Sequence, residues 1–227
     1  PNNRRIVVNG HDFKFIAEYE SDLKRKGHQV RRDKWGWSDP IDLRRSEALV
    51  EWGETIVSEW GLMNSVWYSE NCCTGGKQHF VRVHLQEISE RAAKYTSQII
   101  IEGVNRFVFV ANHVAEKALS KYNWPREKIE ILPNYVDLER FSIGGNSKGG
   151  KTIGIVGIVP KRKRFDIALD VIKKLNELDS GWKLVIKGRM PSEYPFMRAP
   201  NRSQEMAYFN RQLKRINTDS ILKSSVD

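Results

Sequence analysis

The chain has 227 residues, 40% hydrophobic and 29% charged, and carries a formal net charge of +10. That balance excludes a disordered chain, and no apolar run approaches the ~18 residues needed to span a bilayer as a helix. The excess of positive charge fits an anionic partner, whether nucleic acid, an anionic membrane surface or a nucleotide-like small molecule, and does not choose among them.

Other compositional features narrow the field. No nucleic-acid motif with interleaved aromatics accompanies the basic clusters, which counts against nucleic acid as the partner. The two cysteines, Cys72 and Cys73, are adjacent. Neighbouring cysteines cannot staple distant segments, and no zinc-ligand spacing is present, so two free thiols in a cytoplasmic protein are expected. The sequence begins Pro1-Asn2-Asn3-Arg4-Arg5, without an initiator methionine or an apolar signal core, as an expression fragment or an internal domain would.

In chain order, residues 4–9 alternate into Ile-Val-Val and stop at Gly10, a buried first strand. Apolar residues at helical spacing follow up to Gly27, then a short strand at 29–32 and a Trp/Gly/Pro loop at 35–40. Residues 43–52 read as helix, 55–58 as a third strand and 62–68 as a short helix before a Gly75-Gly76 turn. Residues 78–84 make a fourth strand ending in His84, 88–101 a helix, 106–110 a fifth strand, 112–121 a helix and 129–132 a sixth strand. Strands alternating with helices at this spacing predict an α/β fold with a parallel, doubly wound sheet covered on both faces. Residues 142–150 are a Gly/Ser/Lys linker. Beyond it come strands at 152–156 and 183–186 flanking a helix over 165–178. A loop with Pro191, Pro195 and Pro200 follows, then a helix over about 204–216, with another strand starting near Asp227. The predicted domains are 1–141, a linker at 142–150, and 151–227, the last too short for a complete second Rossmann-like unit.

Several residues stand out chemically. His84 ends a strand, and ligands of doubly wound sheets sit beyond the carboxyl ends of strands. Glu87, three residues on, could cap the next helix or touch an acceptor. Arg82 leaves open a buried ion pair or a phosphate contact. Gly10 permits close backbone approach, with His11 and Asp12 beside it at the same strand end. In the second half, Gly157 closes a strand, and Lys161, Arg162, Lys163 and Arg164 precede a helix, a pattern suited to a diphosphate. Glu59-Trp60 with Trp67-Tyr68, plus Trp35 and Trp37, form an aromatic-rich region that suggests either core packing or a sugar-stacking groove.

The run Leu-Pro-Asn-Tyr-Val-Asp-Leu-Glu-Arg-Phe at 132–141, followed after the linker by Val-Gly-Ile-Val-Pro-Lys-Arg-Lys at 156–163, resembles the junction of GT-B glycosyltransferases of the family 4 type. The resemblance implies two Rossmann-like domains facing a cleft, the second incomplete here. It also implies a retaining, metal-independent, cofactor-free transfer of a sugar from a nucleotide-sugar donor to a glycan or lipid-linked acceptor. His84 would orient the donor sugar, Gly157, Lys163 and Arg162 would hold the diphosphate, and Gly10, His11, Asp12 and Glu87 would line the acceptor side. Pro133, Asn134 and Asp137 would set the crossing between halves. The position after the glycine, often arginine in the family, is Ile158, and nothing here corresponds to the family's glutamate pair seven residues apart, so little turnover by this chain is expected. A cytoplasmic location with peripheral contact to an anionic membrane is implied. The alternatives are a non-catalytic glycan- or partner-binding relative, or a basic nucleic-acid-binding α/β domain.

Overall fold

A computed structural model describes residues 3–72, 76–141 and 150–227. It divides into two compact units, Pro1–Ser142 and Ile143–Asp227. The expected linker, apart from Gly150, lies outside the described residues, as do Cys73 and Gly75; Cys72 is buried.

The first unit runs β1 (Arg5–Gly10), α1 (Ala17–Arg25), β2 (Gln29–Lys34), α2 (Leu43–Trp52), β3 (Thr55–Glu59), α3 (Met63–Asn71), β4 (Gln78–Val83), α4 (Glu90–Thr96), β5 (Arg106–Phe109), α5 (Asn112–Tyr122), β6 (Ile129–Ile131) and α6 (Leu138–Phe141). All six strands are parallel, in the order β2-β1-β3-β4-β5-β6. The chain moves outward once, from β1 to β2, then returns past β1 and proceeds in one direction. Right-handed crossovers therefore put α1 on one face and the later helices on the other. The packing follows that rule. Val7 and Ile56 meet Leu49 and Tyr68 from α2 and α3, and Val81, Val83, Phe107 and Phe109 meet Val66, Val114, Ala115 and Ala118 from α3 and α5. On the opposite face Ile6 and Val8 pack under Ile16, Tyr19 and Leu23.

Helices flank both faces of the sheet, as the alternation of elements predicts. An apolar hollow of about 250 Å³ opens on the α1 face, walled by Ile6, Tyr19, Leu23, Val57, Phe80 and Val108. Periodicity marks both sides of these strands as apolar, and strand order shows that α1 crosses this one.

The predicted helix over 88–101 is broken in the structure. A 3-10 turn at Leu85–Ile88 precedes α4, and a second at Ile101–Gly103 follows it. Ser89 is extended between the first turn and α4, and the Ile100 N–H donates to the Ser69 hydroxyl at 3.0 Å instead of continuing the helix. β4 stops at Val83 because the His84 N–H leaves the ladder for the Glu87 carboxylate.

In the second unit β7 (Thr152–Val156) and β8 (Lys183–Lys187) pair in parallel around α7 (Phe165–Leu178), followed by α8 (Ser203–Thr218) and α9 (Ser220–Ser225). Phe165, Leu169 and Ile172, on one face of α7, pack with Leu184, Tyr208, Phe209 and Leu222. The three prolines each open a short 3-10 turn. Val226 forms a parallel bridge to Leu184, where a further strand was expected to begin.

No helix among the described residues is long and apolar enough to cross a membrane.

Candidate functional site

The strand order places a switch point between β1 and β3, whose outgoing connections run in opposite directions. In open α/β sheets ligands bind in the crevice at such a point, beyond the carboxyl ends of the strands. Here that edge carries Gly10, His11 and Asp12 after β1, Glu59 and Trp60 at the end of β3, and His84 to Glu87 after β4. The two central strands approach so closely that a Cβ on Gly10 would lie 2.4 Å from the Glu59 carbonyl oxygen. Only glycine fits there.

Glu59 is fully buried and organises the edge. One carboxylate oxygen lies 2.8 Å from Nη1 of Arg82, itself 3% exposed, and the other lies 3.1 Å from Nε2 of His84. Because a carboxylate only accepts, the His84 proton in this pair sits on Nε2. Arg82 also donates to the Phe15 carbonyl at 3.3 Å and to Oδ1 of Asn134 at 2.9 Å, which settles the open question at position 82 in favour of a buried ion pair. Residues 59 and 82 are direct partners in the β3–β4 register.

Trp60 holds a left-handed backbone conformation, φ +77°, which a bulky residue adopts only where its surroundings impose it. Its ring stacks on the His84 imidazole, centroids 4.3 Å apart and planes 29° apart, and its indole N–H donates to the Asp12 carbonyl at 2.8 Å. His11 packs on the same indole at 4.8 Å, and Phe15 lies 5.4 Å from His84. Burial foremost lowers the pKa of His11, and its Nδ1 is enclosed without a hydrogen-bond partner. At Asp12 burial pushes upward, but the side-chain and backbone hydrogen bonds from Lys14 outweigh it and hold the carboxyl below its ordinary range.

Glu87 is a buried cap. Its Oε1 accepts from the N–H groups of His84 and Gly61, each at 3.1 Å, while Oε2 has no partner. Desolvation pushes its pKa up to about 7. Nearby, His79 is a core histidine. Its Nδ1–H donates to the Gly103 carbonyl at 2.9 Å and its Nε2 accepts from the Ser58 hydroxyl at 2.8 Å, with burial lowering its pKa to about 4.

In the second unit Gly157 has φ +67° and donates to the Lys187 carbonyl at 2.8 Å, with Gly188 packed against its Cα. The basic turn spans Lys161–Lys163, and Arg164, left-handed at φ +56°, starts α7. Its four cations have different surroundings. Arg164 pairs with Asp166 at 3.0 Å, holding that carboxyl far below its ordinary range. The Lys161 ammonium lies over the Tyr208 ring, Lys163 Nζ turns back to the Val156 carbonyl at 3.4 Å, and Arg162 is exposed.

The structure therefore gathers Gly10, His11, Asp12, His84 and Glu87 at one edge of the first unit, and Gly157, Arg162 and Lys163 around one turn of the second. Glu59 and Trp60, which the sequence marks only as part of the aromatic-rich region, organise this edge. Their signal was the strand-end position of an acid whose register partner is an arginine, legible only once the strands are paired. The aromatic group divides: Trp35, Trp67 and Tyr68 pack in the core around the buried Asp33, whereas Trp37 and Trp60 flank His11.

No family model matches the chain, and no curated protein matches it in sequence. Among solved structures it is similar to a glycosyltransferase from Rickettsia africae ESF-5, at 13% identity and a TM-score of 0.65, covering 100% of this chain and 68% of that one. The chain has a GT-B-like α/β fold. A weaker likeness, to TarM, has 13% identity and a TM-score of 0.46 and covers 76% of this chain and 31% of that one.

Proposed function

We propose that this chain is the part of a glycosyltransferase that carries the acceptor-side unit and the opening of the donor-side unit. The transfer is retaining and metal-independent, from a nucleotide sugar to a glycan or lipid-linked acceptor. The observation that carries this reading is the buried Arg82–Glu59–His84 assembly beneath Trp60, at the switch-point edge of a fold shared with a glycosyltransferase.

The chemistry divides between the units. A neutral imidazole on a fixed ring can hydrogen-bond a sugar hydroxyl and orient the anomeric carbon. Lys163, beside Gly157 and before the N-terminus of α7, supplies positive charge where a leaving diphosphate becomes more negative, so its contribution grows as the transition state forms. His11 and Asp12, adjoining Trp60, face the acceptor in this scheme.

The test is binding and turnover by the same chain. UDP and GDP are titrated into ¹⁵N-labelled protein, and release of nucleoside diphosphate is followed from UDP-glucose, UDP-N-acetylglucosamine and GDP-mannose. Amide shifts clustered on residues 156–165 are expected. Glycan binding with no response to either nucleotide would favour a non-catalytic relative. Strongly salt-dependent binding of RNA or DNA in their place would favour a nucleic-acid role.

A further inference from the structure

We propose that Glu59 is a positioning residue for this transfer: clamped by Arg82, its carboxylate fixes the His84 proton on Nε2 and holds the imidazole in one orientation against Trp60, ready for a sugar hydroxyl. The proposal rests on His84 being the residue that meets the donor sugar.

Three independent features converge on Glu59. The first is its placement. It is the last residue of β3, its carbonyl is pressed against Gly10, and its register partner is Arg82, so both backbone and side chain are held from neighbouring strands. The second is the division of its oxygens. A buried Arg–Glu pair is already charge-balanced, and the second oxygen could have taken a backbone N–H. It takes the imidazole instead. Buried ion pairs are weak contributors to stability, since desolvation offsets their attraction, so placing one under an edge histidine is better explained by orientation. The third is the other side of the ring. Trp60, in its left-handed conformation, stacks on the imidazole face and fixes the ring plane, while the Glu59 contact fixes which way the ring is flipped within that plane. Arg82 also grips Asn134, so the clamp is tied to the segment that follows β6.

The charge arithmetic supports positioning. Arg82 neutralises Glu59, and the pair presents the imidazole with an acceptor whose charge is already balanced. A ring held this way donates its Nε2–H to Glu59.

The experiment uses the whole chain labelled with ¹⁵N-histidine, whose five histidines are few enough to assign by single substitution. Long-range ¹H–¹⁵N spectra at pH 7.5 report the tautomer of each ring. Wild type should show His84 as a single Nε2–H tautomer. Glu59→Gln alone leaves the buried Arg82 without its counter-charge, at the expense of folding, so the decisive variant is Glu59→Gln with Arg82→Met, which removes both charges together. An amide can either accept from the ring or donate to it, so His84 should become a mixture of tautomers while His79 keeps its pattern. Glu59→Asp with Arg82 intact should restore the single tautomer in part. An unchanged His84 spectrum in the double variant, or a wild-type ring protonated on Nδ1, overturns the proposal.

Nucleoside diphosphate release from the three sugar nucleotides separates this inference from the functional reading beneath it. The double variant should lose turnover by roughly 10–100-fold with KM little changed, the mark of a misplaced group and not of lost binding. If His84→Ala lowers release and the double variant does not, the positioning role falls and the functional reading stands. If His84→Ala changes nothing, the functional reading falls, and the tautomer spectrum still decides what Glu59 does to the ring.

Discussion

Gly10 and Glu59 meet at the centre of the sheet edge, with the Gly10 Cα pressed toward the Glu59 carbonyl. An added methyl would sit 2.4 Å from that oxygen, closer than Cβ atoms approach backbone, so β1 and β3 would have to part at their carboxyl ends. The Nε2 contact of His84 hangs from Glu59. A single methyl at position 10 therefore tests packing and site geometry together.

Gly10→Ala should destabilise the first unit by roughly 2–3 kcal/mol, the upper range for an extra methyl in a tightly packed place. It should also shift the His84 resonances. Gly76→Ala is the control: it has φ +69° and open space around it, so it carries only the left-handed penalty of about 1–2 kcal/mol. Urea unfolding followed by tryptophan fluorescence measures both. Shifted His84 signals in Gly76→Ala, or unshifted ones in Gly10→Ala, would disconnect the close approach from the site.

Two buried groups near this edge push stability in opposite directions as pH changes. His79 has a folded pKa of about 4 against an ordinary 6.5, so the unfolded chain binds a proton that the folded one refuses, and stability falls as pH drops through that window. Glu87 is raised to about 7 from 4.5, so the folded chain keeps a proton that the unfolded one loses, and stability falls as pH rises from 4.5 to 7. Each amounts to about 3 kcal/mol at 1.36 kcal/mol per pH unit, and between pH 4.5 and 6.5 they offset one another. Glu87→Gln keeps the acceptor for His84 and Gly61 but cannot ionise. Its stability relative to wild type should rise by about 3 kcal/mol from pH 4.5 to 7, read from urea midpoints across pH. A difference that stays flat would mean that Glu87 ionises normally in the folded chain.

Much of this organisation is legible in the residues. α2 is bounded by Asp42, whose carboxylate accepts the Arg45 N–H, and by Gly53, and α7 by its apolar spacing, so both were placed to the residue. His84 and Gly10 could be chosen because strand ends in alternating α/β sequences gather ligands. Glu59 could be named only as a neighbour of Trp60, because its role depends on facing Arg82 across β3 and β4, and register is a property of paired strands. The apolar hollow beside α1 was hidden for a related reason: periodicity describes a strand's two sides but not which helix crosses over them. The broken helix at 88–101 was missed because Ser69, on another element, takes the Ile100 N–H.

The basic turn of the second unit gives the sharpest test of the donor-side assignment. If its four cations were a diffuse attractive patch, removing any of them would weaken anion binding slightly and equally, and added salt would mimic the effect. Their surroundings differ, however. Arg164 is held by Asp166 and Lys161 lies on Tyr208, whereas Lys163 reaches back to the carbonyl of Val156, next to Gly157. A charge-assisted hydrogen bond contributes about 1.5–3 kcal/mol, so Lys163→Ala should weaken UDP or GDP binding by roughly tenfold or more. Arg162→Ala should change it by roughly twofold or less, the scale of an exposed charge. Arg164→Ala should act mainly on the start of α7, where it frees Asp166. Gly157→Ala meets no protein atom within 4 Å, so a loss of affinity there reports the backbone conformation, φ +67°, or a diphosphate lying against this glycine. Isothermal titration of the four variants at low salt and at 0.5 M salt, where the screening length falls to about 4 Å, ranks them. Equal, small losses that salt reproduces would reduce the turn to a solvated patch, and a loss confined to Lys163 and Gly157 would locate the diphosphate.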